Sequence, residues 1–227
     1  MDVHRLLRSA PVKPEFAPTM PQLLAPRVDS LPRIAGRIGA ALMMLLVAAI
    51  VLIALRSRDP VYSHKGLPAA FSTSYSRAMT REPVSPPTLL LLRQNSSVGL
   101  EASFEITTLH LPRYGGEISG LLPIVAINMI DRLMAGDPTF ILWSHGRTRI
   151  NFVPGYTFTY QRTIGGRVFW GRDVLITPHL TGDREGLLIT MVTDPAPLKA
   201  AAVKPVTPNS VASVGVLFEP LERLRFG

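Results

Sequence analysis

The sequence predicts an α+β protein in two parts. One N-terminal transmembrane helix is followed by an extracytoplasmic antiparallel meander sheet, covered by one buried helix and a short C-terminal helix. Three observations carry this prediction. Ile38 to Leu55 is a run of eighteen uncharged residues, IGAALMMLLVAAIVLIAL. Residues 119–135 hold a sustained helical apolar period. After them come strand-like segments separated by short turns, the signature of antiparallel neighbours.

Residues 1–37 contain Pro11, Pro14, Pro18, Pro21, Pro26 and Pro32, and their apolar residues keep no period. Proline at that density blocks helix and sheet alike, so this segment reads as a disordered cytoplasmic tail. The run 38–55 follows. A helix of that length covers about 27 Å, against a hydrocarbon core of roughly 30 Å. Arg37, Arg56 and Arg58 bracket it, as headgroups would favour. A secretory h-region is shorter, about 7–15 residues, and ends at a small-x-small site. The run ends Ile53-Ala54-Leu55 instead, which predicts an uncleaved anchor with the bilayer as its partner.

Local charge does not orient it. Arg27, Arg33 and Arg37 on one side balance Arg56, Arg58 and Lys65 on the other. The long C-terminal part reads as a domain, and domains translocate largely regardless of charge. The expected topology is a single pass through the cell membrane, N-terminus inside and domain outside.

Residues 56–87 carry Pro60, Pro68, Pro83, Pro86 and Pro87 and the polar stretch Ser72 to Ser76, which reads as a stalk. The folded domain is expected over 88–227. Leu89–Arg93 suits an edge strand. In 101–111, EASFEITTLHL, Phe104, Ile106 and Thr108 share one face. In the helix, Leu122, Val125, Ala126, Met129, Ile130 and Leu133 form a stripe. Ile124 and Ile127 widen it, predicting a largely buried helix. Ser119 suits its N-cap, Pro123 its first turn and Gly136 its C′ position. Strands are then expected over 139–145, 148–153, 156–163, 167–177 and 187–193. Their turns fall at Gly146-Arg147, Pro154-Gly155 and Gly165-Gly166, with Gly171 as a bulge. Pro220 predicts a final short helix from about Glu219.

Within the last seventy or so residues, four stretches carry a family likeness: Gly155-Tyr-Thr-Phe-Thr-Tyr, Gly171-Arg-Asp-Val-Leu-Ile-Thr, Asp183-Arg-Glu-Gly-Leu-Leu-Ile-Thr and Leu221-Glu-Arg-Leu-Arg-Phe-Gly. Together they resemble the PsbP-like group, which includes the mycobacterial LpqN-type lipoproteins. The resemblance implies a membrane-tethered envelope domain that acts by binding or as an assembly aid. The four stretches contain no catalytic motif.

The whole chain carries 24 Lys+Arg against 16 Asp+Glu and no cysteine. Disulfides, thiolate metal sites and cysteine nucleophiles are therefore excluded. The modest positive charge suits anionic lipid or wall polymer, and no nucleic-acid recognition motif accompanies it. Ser144 and His145 are adjacent on a strand and point to opposite faces, a poor nucleophile–base pair. The loop with His179, Asp183 and Glu185 lacks standard metal spacing and reads as ordinary turn chemistry. No phosphate-binding glycine loop is present, and no cofactor is expected.

Arg147, Arg149, Arg162, Arg167 and Arg172 gather in the meander. They define a candidate anion-binding surface, to be weighed against the ordinary polar face of a one-sided sheet. The main reading is a membrane-anchored envelope protein whose outer domain binds a partner or serves as an accessory subunit of a membrane complex. An enzyme with a polar site that no local motif reveals, and an oligomerisation scaffold, stay open as alternatives. A cavity with converging titratable groups would favour the enzyme.

Overall fold

A computed structural model describes residues 42–49, 59–178, 184–201 and 205–227. The chain divides into two compact units, Met1–Arg58 and Asp59–Gly227. Within the first unit, residues 42–49 are helical. Leu42 to Val47 are each between 54% and 74% exposed, so the helix is apolar all round and covered on no side. Among the described residues, no helix is long and apolar enough to cross a membrane. The rest of the Ile38–Leu55 run and the tail 1–37 lie outside the described residues.

The second unit follows the order β1 (Val61–His64), β2 (Phe71–Ser74), β3 (Thr80–Arg81), β4 (Thr88–Ser96), β5 (Gly99–His110) and α1 (Ile118–Gly136). Then come β6 (Ile141–Ile150), β7 (Val153–Ile164), β8 (Arg167–Ile176), β9 (Glu185–Thr193), α2 (Pro195–Ala201), a 3-10 turn (Pro208–Ser210), α3 (Phe218–Glu222) and β10 (Arg225–Phe226). A seven-stranded antiparallel sheet has the order β3-β4-β5-β9-β8-β7-β6, and a small sheet the order β1-β2-β10. The consecutive neighbours β6 to β9 are the expected meander. Helix α1 carries the chain from β5 to the far edge, so that β9 closes back on β5.

Both faces of the large sheet are covered, contrary to the one-sided sheet expected. One face packs Leu90, Leu92, Phe104, Ile106, Ile189 and Met191 against the small sheet and the C-terminal segment. The other packs Tyr156, Phe158, Tyr160 and Leu175 against α1. With two cores of its own, Asp59–Gly227 satisfies the requirement for an independently folding domain.

The expected stalk over 56–87 is corrected from Asp59 onward. Ala69, Phe71, Tyr75 and Met79 belong to the first core, and β1, β2 and β3 lie in this segment. The prolines fall between short strands. The polar stretch Ser72 to Ser76 alternates about Phe71, Thr73 and Tyr75, whose side chains are buried.

Helix α1 is covered on one side only, where a largely buried helix was expected. Leu121, Leu122, Val125, Ala126 and Ile130 pack on the sheet, while Ile124, Ile127 and Met134 are 46%, 38% and 54% exposed. Among the described residues, nothing buries this second stripe. It begins one residue before Ser119, with Glu117 in the cap position, and ends with Gly136 still helical.

The turns also differ from expectation. Strand β6 runs unbroken through Gly146-Arg147, and the hairpin turns at Asn151-Phe152. Pro154 and Gly155 lie inside β7. Gly155 is a packing glycine, because a Cβ there would meet Ile176 Cγ2 and the Leu175 carbonyl at 2.6 Å. Gly171 makes no bulge. It lies beneath the Tyr160 ring, where a Cβ would fall 2.2 Å from Tyr160 Cζ. The Gly165-Gly166 turn is as expected, with φ of +57° and +79°. The final helix begins at Phe218, close to the expected Glu219.

Candidate functional site: an apolar cavity beside the C-terminal segment

Strands β4 and β5 pair with a register shift. Gln94 faces Ala102 while Asn95 faces Leu100, so Glu101 is the extra residue of a β-bulge. Bulges re-aim side chains, and here Glu101 joins Gln94 and Ala102 in lining one cavity. The cavity measures about 720 Å³. Leu198 of α2, and Val206, Ala212, Val216 and Leu217 of the C-terminal segment, supply most of its apolar lining. That volume and lining fall in the range of small-molecule sites.

Its polar groups are few. Gln94 Nε2 donates to Glu101 Oε2 at 2.7 Å, and Gln94 Oε1 is buried without a hydrogen-bond partner. Thr193, Ser210 and Ser213 also line the cavity. Thr193 donates from Oγ1 to the Asp194 carbonyl at 3.2 Å, and Ser210 Oγ accepts the Thr207 N–H at 3.2 Å. Among the described residues, Glu101 is the single titratable side chain in the lining. The arrangement can hold an apolar body with one hydrogen-bond donor. It brings no base to a nucleophile.

A second polar cluster sits on the opposite face of the sheet. Asp173, in the middle of β8, is 5% exposed. The Tyr160 hydroxyl donates to its Oδ1 at 3.4 Å. Burial pushes the Asp173 carboxyl up to about 7, against opposing pulls from the Thr190 hydrogen bond, Arg162 and Tyr160. Burial and then Asp173 hold the Tyr160 hydroxyl well above its ordinary range. The cluster adjoins the core under α1 and lines none of the cavities described here.

The five candidate arginines do not converge. Arg147 and Arg149 are exposed on one face of β6. Arg162 lies over the Tyr160 ring at 5.9 Å. Arg167 is paired with Asp194 and donates to the Val98 carbonyl at 2.8 Å, fastening β8 to the β4–β5 turn. Arg172 points to the other face, donating from Nε to Thr157 Oγ1 at 3.3 Å and from Nη1 to the Val211 carbonyl at 3.4 Å. Burial lowers its pKa.

Ser144 and His145 part as their strand positions require. Ser144 Oγ meets Thr159 Oγ1 at 2.8 Å and donates to Asn209 Oδ1 at 2.7 Å, while His145 Nδ1 meets the Tyr156 hydroxyl at 2.6 Å. His179 and Asp183 lie outside the described residues, and Glu185 pairs with the exposed His110 at 3.5 Å. Among the described residues no group of three potential metal ligands occurs.

Sequence reasoning missed both the cavity and Asp173. The cavity is assembled from β4, β5, α2 and the C-terminal segment, so no local pattern announces it. Asp173 did leave a signal, as the one acidic residue in the strand Arg167–Ile176.

No protein-family profile and no curated protein matches this chain. Solved structures do. Cyanobacterial PsbP (CyanoP) from Synechocystis sp. PCC 6803 is 12% identical, covering 75% of this chain and 95% of that one, with a TM-score of 0.44. LpqN of Mycobacterium tuberculosis, involved in cell envelope biogenesis, is 7% identical over 75% of this chain and 92% of that one, with a TM-score of 0.47. The Saccharomyces cerevisiae Ran-binding protein Mog1p is 10% identical over 74% and 96%, with a TM-score of 0.46. The chain has a weak PsbP- and LpqN-like fold resemblance, and nothing about its activity follows from that.

Proposed function

We propose that this chain is a single-pass, membrane-anchored envelope protein. Its outer domain, from Asp59, acts by binding an apolar ligand rather than by catalysis. The cavity beside the C-terminal segment is the observation that carries this reading. Its volume of about 720 Å³ accommodates a small molecule or an apolar chain. One carboxylate and one amide carbonyl at Glu101 and Gln94 form an acceptor pair suited to a hydroxyl or amine head. Among the described residues, the lining holds one titratable group, whereas acid–base chemistry needs at least a donor and an acceptor placed about a substrate.

The anchor reading is supported by the composition of Ile38–Leu55. It is supported too by the helix at 42–49, whose apolar side chains find no cover. A helix apolar on all sides belongs in a core or in lipid.

The test is displacement of a fluorescent fatty-acid analogue from the purified domain, residues 59–227. Wild type is expected to bind the probe saturably. Val216→Trp, which fills the cavity from its wall, is expected to abolish binding while the melting temperature holds. Equal binding by the variant, or no binding by wild type to any apolar probe, would remove the cavity from the functional account.

A further inference from the structure

The end of the domain that holds Asp59 carries an unusual aromatic residue. The apolar run ends at Leu55 and the folded unit begins at Asp59, which leaves Arg56, Ser57 and Arg58 between them. Three residues reach at most about 11 Å when fully extended. On the anchor reading, Asp59 therefore begins within that reach of the apolar run.

The surface around Asp59 can be traced residue by residue. Asp59 lies against Glu219, whose carboxyl is raised by burial and then by this neighbour. Phe218, the next residue, is 42% exposed. It shares a shallow depression of about 210 Å³ with Arg149, Asn151 and Glu222. Asn151 donates from Nδ2 to the Leu224 carbonyl, tying the β6–β7 turn to this end of the domain.

The turn itself is Asn151-Phe152, with φ of +46° and +70°. Two left-handed residues make a tight hairpin whose second position ordinarily holds glycine. A phenylalanine there costs about 1–2 kcal/mol in backbone strain. Phe152 is also 93% exposed, so it recovers almost nothing by burial within the domain. Exposed Arg147 and Arg149 precede it on β6, and Arg223 and Arg225 lie beyond α3. These four arginines outnumber the acids Asp59, Glu219 and Glu222 at this end.

We propose that the β6–β7 hairpin tip is a membrane-docking surface. Phe152 enters the interfacial layer, and Arg147 and Arg149 contact the phosphates of an anionic bilayer. The site rests on the anchor reading for the position of the membrane. Docking itself is a property of the domain alone. An aromatic body with neighbouring arginines suits the layer between acyl chains and headgroups. Each arginine near an anionic surface contributes about fivefold to binding.

The experiment is co-sedimentation of residues 59–227 with two kinds of vesicle: phosphatidylcholine alone, and an equal mixture with phosphatidylglycerol. Wild type is expected to sediment with the mixed vesicles and to be released by salt. Phe152→Gly suits the left-handed backbone and should leave the melting temperature unchanged or raised. It should weaken binding about tenfold or more. Replacing Arg147 and Arg149 together by Gln should weaken it about twenty-five-fold.

Undiminished binding by Phe152→Gly overturns the proposal, as does equal binding to neutral vesicles or no binding at all. So does vesicle-independent self-association lost in Phe152→Gly, which would assign the tip to a second copy. Extraction of the full chain from membranes by alkaline carbonate would instead sink the anchor reading and leave the vesicle result standing.

Discussion

Asp173 is the residue whose chemistry departs most from its type. Its carboxyl is fully buried on the sheet, with Tyr160, Arg162 and Glu105 as the charged or titratable groups facing it. Burial outweighs its hydrogen bonds and raises its pKa from 3.8 to about 7. The sign of the linkage follows. Below about pH 4 it is protonated whether the chain is folded or not. Between about 4 and 7 the unfolded chain releases the proton while the folded domain keeps it, so stability falls as pH rises through that window. Above about 7 both states are ionised and the slope ends. At about 1.4 kcal/mol per pH unit, the loss amounts to about 4 kcal/mol as an upper figure. Asp173→Asn removes the titration while keeping most of the shape. Melting temperatures of the two proteins, measured from pH 4 to pH 8, should therefore converge at low pH and diverge above it, with the variant higher at pH 8. Parallel curves would mean that Asp173 is solvated and ordinary.

At the scale of elements, legibility followed locality. The strands of the meander and the long helix were readable because each writes its own period: Tyr156, Phe158 and Tyr160 at two, Leu122, Val125, Ala126 and Ile130 at three and four. The turns were less readable, because a glycine marks either a turn or a close approach. Gly146 lies in mid-strand with nothing within 4 Å of its Cβ position, and Gly155 serves packing, while the actual turn uses Asn151-Phe152. The segment 59–87 was not readable as structure. Its strands are two to four residues long and punctuated by proline, too short for periodicity to stand out. The cavity was invisible for a related reason, since β4, β5, α2 and the C-terminal segment approach one another only in the fold.

The consequence of this segment's packing can be measured. Phe71 and Met79 cover the face that holds Leu90, Leu92, Phe104 and Ile106. Loss of one such buried aromatic costs about 3–5 kcal/mol, against a total stability of about 5–15 kcal/mol for a domain. A fragment of residues 88–227 is therefore expected to be unfolded or aggregated by circular dichroism, whereas 59–227 melts cooperatively. A cooperative transition in the shorter fragment would restore the stalk.

At the scale of the whole molecule, the anchor reading poses a question of orientation, which charge alone leaves tied at three basic residues on each side of the run. What bears on the tie is the domain that begins at Asp59, a compact unit of its own. On that reading, such a folding unit is expected to cross by translocation largely regardless of its charge. The absence of cysteine makes the test clean, because any thiol introduced is the only one. Ser97, exposed in the β4–β5 turn, and Ser9 in the tail are suitable positions. In intact spheroplasts, Ser97→Cys should react with a membrane-impermeant maleimide, and Ser9→Cys should react only after lysis. The reverse pattern would place the domain in the cytoplasm. The hairpin tip would then meet the inner leaflet, where the same arginines find anionic lipid, and the envelope function would have to be abandoned while the docking surface survived.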